Sequence, residues 1–474
     1  MAVLFCSLEL FNKDLDNEKL NQLAIRPVGR LLWEYSLPAV VGMLVTALYN
    51  VVDRIFIGQW VGPDAIAGLA ITFPIMNLAT AIGVLIGVGS SSRVSIELGA
   101  GHIDKAHRLL GNAFVLTWIN GLLYIAAFAI WLDPLLRLFG ASDTTLPYAR
   151  EYMLLLLPGC LLTNLTYGLN NIMRASGYPR RAMTTMLIGA VVNVALDPLF
   201  IYVFGWGIGG AAIATDIAMG VSALFVVAHF TRRDVTVRFR RGIYGLRWHV
   251  ILSIISIGAA PAMVNAASCI VNALANNALL GYGGDRDIGA AGIMVTYTSL
   301  LVTVVLGLCM GMQPVVGYNY GARQMHRLRK AYLLAVAAAS VITFGGGVCG
   351  LLRPSAIARV FTADAALIAA TDRALGLCLM VFPVVGFQII STSFFQSIGN
   401  ATESIIVGLL RQVIFLIPLL IFMPRAFGVE GVWMSFPISD AVATVVTLWL
   451  ILRQFRRLRM LSPAPAAITF SESR

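Results

Sequence analysis

Asp53, Asn193, Asp197 and Thr215 are the residues of this 474-residue chain whose types and spacing can do chemistry. Each carries an oxygen able to hold a hard cation or to pass a proton, and each falls in a long apolar stretch. A carboxylate at the middle of a membrane helix costs about 2.5 to 3.5 kcal/mol on insertion scales, so function is the default reading of such an acid. Counted along helices at about 1.5 Å per residue, Asp53 and Asp197 lie roughly 8 to 9 Å below the same membrane face. Asn193 shares a helix face with Asp197, and Thr215 enters at similar depth on the next helix. Pro198 has no N–H; it leaves the Val194 carbonyl without its helical partner and predicts a bend beside the acid. Two carboxylates, an amide and a hydroxyl from three helices thus form a predicted cation-coupling site, for H⁺ or as a possible Na⁺ site. Asp216 adjoins Thr215 but points about 100° away around the helix, so the sequence leaves its facing open.

Such residues need a membrane scaffold. The chain is 58% hydrophobic and 12% charged, against roughly 25% charged in soluble domains. Stretches 65–92, 109–132, 152–173, 248–284, 288–322, 331–352 and 374–402 lack Asp, Glu, Lys and Arg. Each exceeds the roughly 20 residues that a bilayer crossing needs. Without the alternation of barrel strands they must be helices, because lipid offers the backbone no hydrogen-bond partner. The predicted fold is an all-α polytopic membrane protein. The net charge of +11 sits in short loops, notably Arg180 and Arg181, the arginines between 232 and 247, and 323–330. That pattern reads as topology and excludes nucleic acid; under the positive-inside rule both termini are cytoplasmic and twelve helices span a cell membrane. The cysteines are scattered without ligand spacing. Cys6 is weak as a lipidation site, and the start of the chain lacks the form of a signal peptide.

The expected organisation is a cytoplasmic leader (1–30), an N lobe of six spans (31–231), a basic cytoplasmic linker (232–247), a C lobe of six spans (248–453) and a cytoplasmic tail (454–474). The lobes read as copies: Pro38 recurs as Pro261, Gly58 as Gly281, Gly99 as Gly321, Pro158 as Pro383, Pro198 as Pro418 and Gly210 as Gly431. An even number of spans per copy makes the repeat parallel, giving two pseudo-symmetric six-helix lobes across a cavity. The second copy has Asn276 for Asp53 and Ile417 for Asp197, so coupling is expected in the N lobe alone. Arg411 and Asp440, on the last two helices, are expected to neutralise each other as a structural ion pair. Tyr49, Phe73, Met76, Met173, Tyr297 and Phe387 are the candidate substrate-cavity residues, suited to adaptable apolar contact and cation–π attraction.

The segment Tyr49-Asn50-Val51-Val52-Asp53-Arg54-Ile55-Phe56-Ile57-Gly58 resembles the first-helix signature of the MATE (multidrug and toxic compound extrusion) transporters. Glu97-Leu98-Gly99-Ala100-Gly101, Arg174-Ala175-Ser176-Gly177, Asn193 to Pro198 and Gln313 to Ala322 are similar to further family segments. The likeness runs from about Pro27 to Leu452. It implies a twelve-helix antiporter, coupled to H⁺ or Na⁺, that exports small organic and often cationic compounds. Asp53, Asn193, Asp197 and Thr215 match the N-lobe cation group of the DinF-like and MepA-like branch, while the C-lobe acids of the NorM-like branch are missing. No cofactor, enzyme activity or protein partner is implied, and a monomer is expected. The alternative is a lipid-linked precursor flippase of the same two-lobe architecture, which would want more arginine and lysine in its cavity.

Overall fold

The computed structural model describes residues 22–61 and 63–461; Cys6, most of the leader and the end of the tail lie outside them. Every regular element among the described residues is helical. The N-terminal half holds α1 (Val28–Trp60), α2 (Pro63–Gly99), α3 (Ile103–Leu138), α4 (Leu146–Ala175), α5 (Pro179–Pro198) and α6 (Gly207–Thr231). The C-terminal half holds α7 (Trp248–Tyr282), α8 (Asp285–Gly321), α9 (Met325–Leu352), a short α10 (Pro354–Phe361), α11 (Ala365–Cys378), α12 (Val385–Ser397), α13 (Ala401–Leu409) and α14 (Ile417–Leu461).

Among the described residues ten helices are long and apolar enough to cross a membrane, and α11 with residues 382–397 makes an eleventh, bent by 56°. The charge-free stretch 374–402 gives no sign of a break there. Yet a turn at 379–381 and the ring of Pro383 interrupt it, as a residue without an N–H does inside a helix. The apolar run Ala401–Met460 has 60 residues, roughly 90 Å at 1.5 Å per residue and three bilayer thicknesses. It folds back at Gly428, whose φ of 59° and ψ of −138° break the helix. The fold-back brings Arg457 within 3.5 Å of Glu403, so the run is two spans and the described residues hold twelve.

Each half has a prolonged fifth span beside its proline. Pro198 passes into a π turn, Leu199–Val203, in which the Phe204 N–H donates to the Leu199 carbonyl at 2.9 Å. Leu410–Leu416 is a π turn ahead of Pro418. Such turns carry an extra residue per hydrogen bond and often stand at functional sites.

Three apolar cores show how the halves meet. One draws on both, with Leu109 and Leu169 packed in the same cluster as Val315 and Phe394. The other two stay within a single half, around Tyr124 and Tyr152 in the first and around Leu279 and Trp433 in the second. The shared core lies at the end bearing the basic loops, so the lobes touch there and part toward the other end. Across this seam α1 packs on α8 and α2 on α7 and α8. Small residues allow the approach, as is usual between membrane helices: a Cβ on Gly258 would collide with the Leu85 carbonyl, and one on Gly321 with the Ile96 carbonyl. Gln313 stitches the seam by donating to the Val88 carbonyl at 3.3 Å and to Ser91 Oγ at 3.2 Å. The segment between the halves is tied down as well. Asn112 donates to the carbonyls of Ile243 (3.3 Å) and Gly245 (3.2 Å) and accepts from the Arg247 N–H (3.1 Å).

Candidate functional site

The broken end of α5 and its neighbours α1 and α6 bring the four predicted residues together in one lobe. Asp53 is 8% exposed, while Asn193 and Asp197 are fully buried. The Asn193 amide donates to Asp197 Oδ1 and to Thr215 Oγ1, both at 3.3 Å. Asp53 lies within electrostatic reach of Asp197, and both act on Tyr49 of α1 and Tyr152 of α4. Tyr152, fully enclosed, was not anticipated, because a tyrosine in an apolar run reads as core.

Three oxygens of this group are buried and accept no hydrogen bond: Asp53 Oδ1, Asp197 Oδ2 and Asn193 Oδ1. Each such acceptor costs about 1 to 3 kcal/mol when nothing donates to it. All three are oxygens, the ligand type of hard cations, and a proton on either carboxylate would supply a missing donor. The donor set therefore fits H⁺ and Na⁺ alike. Asp216 takes a different direction. Its carboxylate lies against Gly159 of α4, where a Cβ would collide with it, and within electrostatic reach of Cys160. In the second half Asn276, the counterpart of Asp53, is exposed.

Two cavities lie within the bundle. The larger, of about 350 Å³, lies between the lobes and is walled by Met43, Val84 and Tyr167 on one side and by Asn265, Gln388, Gln396, Arg411 and Gln412 on the other. The smaller, of about 120 Å³, lies within the first lobe and is bordered by Thr46, Tyr49, Thr166, Asn170, Arg174, Thr185 and Ser222. Tyr167, Asn171 and Met310 border both, and Tyr49 links the smaller one to the acids. Of the six residues expected to line a cavity, Tyr49 lines one of these two. Phe73 instead stacks under Arg54, with 5.9 Å from the guanidinium carbon to the ring centroid. Met76 and Phe387 pack against apolar cores, and Met173 is wholly buried in the shared one. Tyr297 donates to the Gly346 carbonyl at 2.7 Å. Arg411 Nε meets Asp440 Oδ1 at 2.6 Å.

Residues 38–199 and 261–422 each match the MatE family, one match per half of the chain. The multidrug export protein MepA of Staphylococcus aureus is 25% identical over 445 residues, which span 92% of this chain and 96% of that protein. An FAD transporter of Shewanella oneidensis is 27% identical over 445 residues, covering 90% and 95%. Among solved structures, an outward-facing multidrug resistance MATE family transporter superposes with a TM-score of 0.87 at 26% identity, over 92% of this chain and 98% of the other. A MATE in its bent conformation gives 0.88 at 26% identity, over 94% and 99%.

Proposed function

The chain belongs to the MatE family of multidrug efflux transporters, and from that premise we propose that it is an antiporter that exports organic compounds, organic cations among them, in exchange for H⁺ or Na⁺. It is a multi-pass membrane transporter and not an enzyme. The proposed orientation puts both termini and the basic loops in the cytoplasm, so the lobes part toward the outside and the central cavity faces outward.

The observation that carries this reading is the trio of buried, unpartnered oxygens on Asp53, Asn193 and Asp197. An ion arriving from outside finds acceptors that the protein alone leaves unsatisfied. Rotation of the Asn193 amide exchanges Nδ2 for Oδ1 and turns a donor into a third ligand. Binding then draws α1, α5 and α6 together, and the π turn after Pro198 is where α5 can yield. Tyr49 borders the smaller cavity and lies within electrostatic reach of the acids, so a shift of α1 changes the space open to substrate. Only a difference in ion affinity between two lobe arrangements can drive such exchange.

The test is efflux of ethidium from proteoliposomes holding the wild type, Asp53→Asn or Asp197→Asn at matched density, under an imposed Na⁺ or pH gradient. The wild type should export with one gradient, which names the ion, and both variants should fail. Export by the variants at the wild-type rate would refute the coupling role.

A further inference from the structure

The smaller cavity contains a charge that the coupling reading does not use. Arg174, on the last turn of α4, is 2% exposed. Its two terminal nitrogens donate to the side-chain carbonyls of Asn170 (2.9 Å) and Asn171 (3.0 Å), both neutral. Its Nε is buried and donates to nothing. Arg174 forms none of the ion pairs found among the described residues, and neither cavity is lined by an Asp or a Glu. A buried guanidinium cannot shed its proton, and neutral amides replace only part of its lost hydration. The carbonyl end of the helix dipole offsets a further part. The remaining deficit is anionic.

The wall around it suits an anion. The hydroxyls of Thr46, Thr185 and Ser222 in that wall donate to backbone carbonyls, whereas Tyr49, Thr163 and Thr166 bring theirs to the same cavity, and Thr166 Oγ1 is buried without a partner. We propose that Arg174 and these hydroxyls form a binding site for the anionic group of a substrate, a carboxylate or phosphate, whose apolar body extends past Tyr167 and Met310 into the central cavity. This deepens the proposed transport function and rests on it: the exported class includes organic acids and zwitterions, held by charge at one end and by apolar packing at the other. At about 120 Å³ the smaller cavity has room for the anionic group, and at about 350 Å³ the larger has room for a fused ring.

The experiment compares 1-naphthylacetate with 1-naphthylacetamide, of the same shape and uncharged, by titration calorimetry on the full-length protein in lipid nanodiscs with no ion gradient. The acid should bind about tenfold or more tighter than the amide, the margin of a charge-assisted contact. Arg174→Gln should erase that margin and leave amide binding in place. Equal binding of the two by the wild type, or a margin kept by Arg174→Gln, would overturn the proposal. Should Arg174→Gln fail to fold, Arg174→Lys and Thr166→Val decide: each must weaken the acid and spare the amide, and an unmoved acid affinity in both counts against the site. Nanodiscs with and without phosphatidylglycerol separate the sources of the anion. If that lipid displaces the acid from the wild type but not from Arg174→Gln, the site belongs to headgroups and the substrate assignment falls. Failure of the coupling reading would show differently, as efflux unchanged in Asp53→Asn and Asp197→Asn with the acid margin intact.

Discussion

Asparagine at position 197 should stabilise the ion-free protein while abolishing its coupling. In the wild type Asp197 Oδ2 accepts nothing, and neither does Asn193 Oδ1 one turn away. The amide of Asp197→Asn keeps the oxygen to which Asn193 donates at 3.3 Å and removes the idle oxygen. One buried unsatisfied acceptor disappears, worth about 1 to 3 kcal/mol. A net gain of about 1 to 3 kcal/mol should raise the thermal midpoint by about 2 to 6 °C, at roughly 2 °C per kcal/mol for a long chain. The assay is thermal unfolding of purified protein without Na⁺ at neutral pH, paired with the ethidium efflux measurement. Efflux should cease as the midpoint rises, the signature of a site that keeps its oxygens unsatisfied for the sake of an ion. A midpoint lowered by the same amount would refute the reasoning, because Asp197 would then be holding the bundle together.

Three further outcomes follow from the packing. Gly258→Val should force α2 and α7 apart at an overpacking cost of about 1 to 3 kcal/mol, shifting the balance of lobe arrangements about 5- to 150-fold; spin-label distances between positions 104 and 326 should lengthen. Arg411→Met leaves the buried Asp440 carboxylate unpaired and should cost about 3 to 5 kcal/mol, most of it recovered when Asp440→Asn is added, as read by chemical denaturation. Asn112→Ala strands two carbonyls and the Arg247 N–H at about 1 to 3 kcal/mol, and should speed hydrogen exchange at 243–247 without changing the seam.

Span positions were legible in the sequence because a charge-free run longer than a bilayer has few alternatives. The meeting of Asp53, Asn193, Asp197 and Thr215 was legible for a related reason: intramembrane acids are few, and depth along a helix can be counted. The bend at 379–381 was not, since Pro383 could equally have sat in a gently kinked helix. The short helix Pro354–Phe361 lay in a stretch that reads as loop. Arg174 was read only as part of a family segment and not as a buried charge, because it ends an apolar span, where an arginine usually reaches water; in the fold it is 2% exposed. The cavity walls were the least legible part. Gln388, Gln412 and Asn265 come from separate helices of the second half, and no spacing rule joins them, while Met173 has the composition of a cavity residue and spends it on the core.

The division of the apolar interior into one shared and two private cores also bears on how the protein is made. Ribosomes deliver the first half before the second, and the private core around Tyr124 and Tyr152 draws only on first-half residues, from Ile57 of α1 to Ala212 of α6. That portion can close while α7 is still to be synthesised. The shared core cannot, because Val315 and Phe394 arrive later and Leu458 last. Until then the seam faces of α1 and α2 rest against lipid, and the glycines and serines that later admit a partner helix leave grooves that acyl chains can fill. Assembly is therefore a docking of two nearly finished bodies, with the segment tied by Asn112 acting as a tether that keeps the second body within reach of the first. Two separately expressed halves, cut in that segment, would have to find each other by diffusion in the plane of the membrane.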